Sequence, residues 1–108
     1  LERVGEVVVA ADAAVCLDLG YAYLESDAAG VESFLGSYGD AVRHLHLHGV
    51  RRRGDTHIPP GSGDLPLERL ADAVDAVHAD ATATIEVFTD DDGYLDESRR
   101  RFQQAMAD

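Results

Sequence analysis

Residues 41–48 read AVRHLHLH, and this stretch decides the fold class. Histidine and leucine alternate from residue 44 onward. Because successive side chains of a β-strand point to opposite faces, His44, His46 and His48 share one face and the leucines share the other. The pattern predicts a strand that packs helices on its apolar face and carries chemically active side chains on the opposite face.

Two further stretches divide their side chains in the same way. Residues 14–20 read AVCLDLG and residues 82–88 read TATIEVF. Alternation puts Cys16 and Asp18 on the polar face of the first stretch and Glu86 on that of the second. The sequence therefore predicts three strands, each with one apolar face and one face that carries a charged or metal-ligand residue.

Helical spacing of apolar residues separates these strands. The alternation of strands and helices is typical of α/β proteins with a parallel sheet, and about three βα units of this kind predict part of a (β/α)8 TIM barrel. Asp27 is predicted to cap the helix that ends at residue 38, and Asp64 is predicted to cap the helix that ends near residue 79. For the first helix, a strand over residues 7–9 is an alternative. The predicted helices cover residues 1–11, 27–38, about 64–79 and about 95–107.

A long loop follows the second strand. Residues 49–64 read GVRRRGDTHIPPGSGD, and loops of this length inside a compact domain are usually functional. Asp55 and His57 form a D-x-H pair that suits metal binding, although an ordinary turn with an exposed histidine is the alternative. The arginines at positions 51–53 can hold a phosphate, or they form a solvated charge run.

Composition narrows the classes of function. The formal net charge is −12, from 21 acidic residues against nine basic ones, all of them arginine. A GC-rich genome or a high-salt cytoplasm explains this bias, and the negative charge argues against broad nucleic-acid binding. No apolar run is long enough to span a membrane. The single cysteine, Cys16, is predicted to be a small buried residue, which fits a cytoplasmic location.

Three of these residues are predicted to meet at one place. Asp18, His46 and Glu86 each lie near the carboxyl end of a strand, where barrel active sites are built. Burying such groups is costly unless they are paired or bound to metal, and they are ligands that Zn²⁺, Mn²⁺ or Co²⁺ accepts. Taken singly, each has the alternative of a hydrogen-bonded structural residue.

Four motifs of the sequence, taken in order, resemble the C-terminal half of the xylose isomerase-like barrels. They read D-L-G-Y, H-L-H-G, D-T-H-I-P-P-G-S-G and I-E-V-F. The resemblance implies that residues 1–108 form strands six to eight of such a barrel, and that the N-terminal remainder is required. It implies one or two divalent ions, because Tyr21 replaces a histidine that the family commonly has. The implied metal ligands are Asp18, His46, Asp55, His57 and Glu86; the implied catalytic residues are His46 and Glu86.

Within this superfamily the motifs are most similar to those of cobamide-remodelling phosphodiesterases. The first expectation is therefore metal-dependent hydrolysis of a small phosphodiester. A sugar or sugar-phosphate isomerase or epimerase is the alternative, and a non-catalytic fragment is a third. A small phosphorylated or sugar-like substrate is expected in either enzyme, contacted by Tyr21, His48, Arg51 and Arg53.

Overall fold

The computed structural model describes residues 1–107 as a three-stranded parallel sheet with helices between the strands, which confirms the predicted α/β class. The strands lie in chain order, β1-β2-β3. A short 3-10 turn over Gly39–Ala41 precedes β2. The elements are α1 (Glu2–Ala11), β1 (Val15–Asp18), α2 (Leu19–Tyr38), β2 (Val42–Leu47), α3 (Leu67–Val74), β3 (Thr82–Ile85) and α4 (Asp92–Ala107).

The register of the sheet brings equivalent positions of the three strands side by side. Asp18 pairs with His46, and His46 pairs with Thr84. The leucines between the histidines are buried. The polar face is more open, and there His44 contacts the hydroxyl groups of Thr82 and Thr84 at 2.7 and 2.9 Å. The predicted division into an apolar and a polar face is therefore confirmed for β2.

The hydrophobic core lies between the apolar face of the sheet and helices α2 and α3. Leu35, Leu47 and Leu70 are almost completely buried there. Full burial of one such side chain contributes about 1.5–3 kcal/mol. The inward residues of α3 follow the spacing of an amphipathic helix, which explains why this short helix forms against the sheet.

The first strand is shorter than predicted, and the helix after it begins earlier. β1 ends at Asp18, whose carboxylate accepts a hydrogen bond from the backbone N–H of Tyr21 at 2.9 Å and so caps α2. Gly20 consequently lies in the helix. The predicted cap, Asp27, lies instead at a kink inside α2 with φ 60° and ψ 177°, where its side chain pairs with Arg52. The helix predicted from Asp27 to Tyr38 thus corresponds to the second of two helical segments that meet at this kink, whereas the first segment, which begins at Leu19, was not predicted.

Other helix boundaries also differ from the predictions. α1 is confirmed, which excludes the alternative strand over residues 7–9. α3 ends at Val74 rather than near residue 79, and α4 begins at Asp92 rather than near residue 95. Asp64 does not cap α3, because its carboxylate accepts the backbone N–H of Arg52 at 2.8 Å. Among residues 1–107, no helix has the length and apolar character needed to cross a membrane.

Candidate functional site

Asp18, His46 and Glu86 meet at the carboxyl ends of the three strands. One ligand atom from each lies within 4.8 Å of the others. Nδ1 of His46 is 2.9 Å from Oε1 of Glu86, and all three side chains are between 25% and 34% exposed. The group therefore lies on the polar face of the sheet, which is open in the described part of the barrel. The structure brings together the three residues that strand alternation had selected.

The Asp18 carboxylate is held through one of its two oxygens. Oδ1 accepts the backbone N–H of Tyr21 at 2.9 Å and lies 2.7 Å from Nε2 of His48. Both donors are neutral groups when His48 is an uncharged imidazole. The negative charge of Asp18 is therefore fixed in orientation without being cancelled by a cation.

Cys16 is exposed, which corrects the prediction that it is buried. Its position on the polar face of β1 explains the difference, because that face is open in the described chain. Its Sγ atom lies 3.5 Å from Nε2 of His46. The thiol is therefore a neighbour of the candidate site that sequence reasoning had treated as core.

His48 follows β2 and is completely buried. Its Nδ1 accepts the backbone N–H of His57 at 3.0 Å, while Nε2 faces Asp18. Because the ring is enclosed and both nitrogens are engaged, this placement does not favour the predicted contact between His48 and a substrate.

His57 lies in a stack of rings beside the site. Its ring is parallel to that of His48 at 4.1 Å and to that of Phe88 at 4.0 Å, and Tyr21 contacts both histidines edge-on. The backbone of His57 has a positive φ of 58°, a conformation that histidine adopts more readily than most residues. Phe88 was not selected from the sequence, although its place two residues after Glu86 put it on the same face of the predicted strand.

Ligand atoms of His57, His48 and Asp18 form a second group within 4.8 Å. His48 has no free nitrogen to offer in this arrangement, because one accepts from His57 and the other bonds Asp18. The second group is therefore poorer in available donors than its composition suggests. In the first group, Nδ1 of His46 contacts Glu86, which is itself a member, and Nε2 lies 3.5 Å from Sγ of Cys16.

Asp55 is surrounded by arginines instead of metal-ligand residues. Its carboxylate lies 3.1 Å from Arg51 and 3.4 Å from Arg53. The hydrogen bond from Arg51, together with the charge of Arg53, holds the pKa of Asp55 below its usual value. Among residues 1–107, Asp55 belongs to neither three-residue group of ligand atoms. The two arginines that were predicted to contact a substrate are thus paired with the predicted ligand Asp55.

A backbone bridge and an arginine side chain hold the loop after β2 in place. Gly49 and Ile58 pair as an antiparallel bridge, with N–O distances of 2.6 and 3.2 Å. Arg52 reaches α2, where it bonds the hydroxyl of Tyr23 at 3.1 Å and pairs with Asp27. Sequence reasoning had grouped Arg52 with its neighbours, since nothing local indicates which arginine reaches the helix.

The alternation of strands and helices agrees with a comparison to known protein families. The model of the xylose isomerase-like TIM barrel family matches residues 2–107. The chain belongs to this family. The partial-barrel fold and the resemblance carried by the four motifs are thereby confirmed.

Two curated relatives share part of this barrel sequence. Fructoselysine 3-epimerases from Shigella flexneri and Escherichia coli O157:H7 are each 35% identical over 77 residues. The match covers 70% of this chain and 26% of each relative, so the chain spans about a quarter of the length of these proteins. The described strands are three of the eight that a closed barrel of this family requires.

Proposed function

We propose that this chain supplies part of the active site of a divalent-metal-dependent sugar epimerase or isomerase. The observation that carries the proposal is the meeting of Asp18, His46 and Glu86 at the carboxyl ends of three adjacent parallel strands. Membership of the xylose isomerase-like family supports it, as do two relatives named as sugar epimerases. These comparisons favour the alternative function over the phosphodiesterase that was expected first.

The donor set fits a divalent cation. Two carboxylates and one imidazole are ligands that Zn²⁺, Mn²⁺ and Co²⁺ accept, and their ligand atoms are close enough to share one ion. Asp18, His46 and Glu86 would hold it, and a bound ion would polarise a carbonyl or hydroxyl oxygen of the substrate. A single ion also agrees with Tyr21 standing where the family commonly has a histidine.

Glu86 is the residue of this chain that we propose as proton carrier. Epimerisation at C3 of a 2-ketose removes a proton from the carbon next to the carbonyl on one face and returns one on the opposite face, so Glu86 would serve one face and a second acid of the complete barrel would serve the other. A carboxylate is a suitable general base for such a carbon acid. The contact between Glu86 and Nδ1 of His46 fixes the orientation of its carboxylate, and Tyr21, which is 47% exposed beside Asp18, is positioned to contact a sugar hydroxyl.

Hydrolysis of a phosphodiester is the second candidate. The observation that favours it is the group that contains Asp18, His48 and His57, which lies beside the first and suggests a second ion. That reading requires a nitrogen of His48 to leave its present partner, and Asp55 to leave Arg51 and Arg53 if it is also a ligand. The single-ion site requires neither change.

Metal content and two activities measured on the full-length protein test the proposal. We expect about one divalent ion per chain and turnover of a 2-ketose or a fructosamine, with no hydrolysis of bis-p-nitrophenyl phosphate. His57→Ala should leave ketose turnover measurable. Diester hydrolysis that disappears in His57→Ala would favour the second candidate instead. A full-length protein with neither stable metal nor turnover would contradict both enzyme functions and leave the non-catalytic alternative.

A further inference from the structure

His48 lies behind the candidate site and touches three separate parts of the fold. It follows β2, its ring bonds the last residue of β1, and it accepts a hydrogen bond from the loop at His57. Resting on the function proposed above, we propose that His48 is a positioning residue, which fixes the Asp18 carboxylate for the ion and does not itself bind ion or substrate.

The hydrogen bonds determine which nitrogen of His48 carries the proton. A backbone N–H can only donate, so Nδ1, which receives it from His57 at 3.0 Å, must be unprotonated. The proton of a neutral imidazole then lies on Nε2, which donates to Oδ1 of Asp18 at 2.7 Å. Both bonds of Asp18 therefore end on Oδ1, which leaves the lone pairs of Oδ2 for an ion.

Packing holds the His48 ring in this orientation. His57 covers one face of the ring, and the start of α2 lies against its edge. A Cβ atom at Gly20 would lie 2.5 Å from Cε1 and 2.8 Å from Nε2 of His48. Any side chain at position 20 would displace the imidazole ring. Gly20 and His48 therefore act together to fix the orientation of the Asp18 carboxylate.

Two substitutions of His48 separate positioning from simple filling of space. Glutamine places its amide group close to where Nε2 of the imidazole lies, so His48→Gln keeps a donor for Asp18 and loses the acceptor for His57. Asparagine reaches only as far as Nδ1, so His48→Asn keeps the acceptor and loses the donor. Titration calorimetry with Mn²⁺ on the full-length protein gives the affinity of each variant, and thermal melting gives its stability.

We expect His48→Asn to bind Mn²⁺ about 10- to 100-fold more weakly than the wild type, as is typical when a partner of a metal ligand is removed. His48→Gln should lose clearly less affinity. Equal losses in the two variants would make His48 a packing residue and overturn the inference while leaving the proposed function intact. A wild-type protein that binds no divalent ion would overturn the proposed function, and this inference with it.

Gly20→Ala tests whether the position of the His48 ring controls metal binding, without changing any polar side chain. Alanine favours a helix over glycine, so a weaker affinity for Mn²⁺ cannot be attributed to loss of α2. The matched control is Gly36→Ala in the same helix, where a Cβ atom meets nothing within 4 Å. We expect weaker Mn²⁺ binding in Gly20→Ala alone, and unchanged affinity in that variant would contradict the proposal.

Discussion

Asp18 and Asp55 are both aspartates predicted to bind metal, yet the structure gives them opposite surroundings. Asp18 ends β1 and receives hydrogen bonds from a backbone amide and from a histidine. Asp55 lies in the loop after β2 and is paired with two arginines. The first carboxylate keeps its charge available, whereas the second is already compensated by cations.

The difference shows that residue type and motif alone do not identify a metal ligand. A carboxylate can bind an ion readily when its existing partners are neutral and orient it. A carboxylate between two guanidinium groups must first give up those pairs. The one-ion and two-ion readings of this barrel therefore depend on whether Asp55 remains with Arg51 and Arg53 when the protein is loaded with metal.

The largest effect is expected at Asp18. Asp18→Asn removes the negative charge but keeps the shape of the side chain, and we expect Mn²⁺ affinity to fall by at least about 100-fold, beyond the range found for partners of a ligand. Titration calorimetry on the full-length protein measures the loss. Affinity within about threefold of the wild type would show that Asp18 is only a helix cap.

Asp55→Asn is the matched substitution on the other side of the comparison. Because the Asp55 carboxylate is paired with arginines and stands outside both ligand groups, we expect Mn²⁺ affinity and stoichiometry to change by less than about threefold. The same calorimetric titration checks this. A drop from two bound ions to one would instead identify Asp55 as a ligand and restore the two-ion reading.

The smallest effect is expected at Asp96, an exposed carboxylate on α4 that is also paired with arginines. The hydrogen bond from Arg99 holds the pKa of Asp96 below its usual value of 3.8. A lowered pKa means that this pair stabilises the fold above pH 3.8 and that the contribution is lost as the pH falls through the pKa of the folded state.

Urea unfolding of the wild type and of Asp96→Asn, compared at pH 6 and at pH 3, measures this contribution. The wild type should be slightly more stable than the variant at pH 6, and the difference should shrink at pH 3. A difference that grows as the pH falls would contradict the assigned ion pair. Added salt should reduce the difference at pH 6, because the pair is exposed.

The order of strands and helices was predictable because alternation and helical spacing are local properties of the sequence. The meeting of Asp18, His46 and Glu86 was predictable as well, since the carboxyl ends of parallel strands share one edge. The exposure of Cys16 was not predicted, although alternation placed its side chain on the polar face, because a single cysteine inside an apolar run was interpreted as a small buried residue. The sequence also gave no sign of where β1 ends, because Leu19 suits a strand as well as a helix.

Contacts between distant segments were the part that the sequence could not supply. The pairing of Arg52 with Asp27 joins a loop to a kink in α2, and Arg52 does not differ in type from Arg51 and Arg53 on either side of it. The burial of His48 likewise depends on Gly20 and His57, which belong to other segments. Such contacts depend on tertiary packing, and no local pattern in a single sequence indicates which distant residues will be partners.

The bridge between Gly49 and Ile58 has a consequence for how this barrel can vary among related proteins. The bridge joins the two ends of a loop formed by residues 50–57. The position in which His57 stacks on His48 depends on the length of this loop. Within residues 50–57, a change of a single residue in length would move the imidazole of His57 out of register with His48. We also expect insertions and deletions between Ile58 and Asp64 to be poorly tolerated, because Asp64 donates its backbone N–H to Val50 at 2.7 Å and its carboxylate accepts the backbone N–H of Arg52 at 2.8 Å.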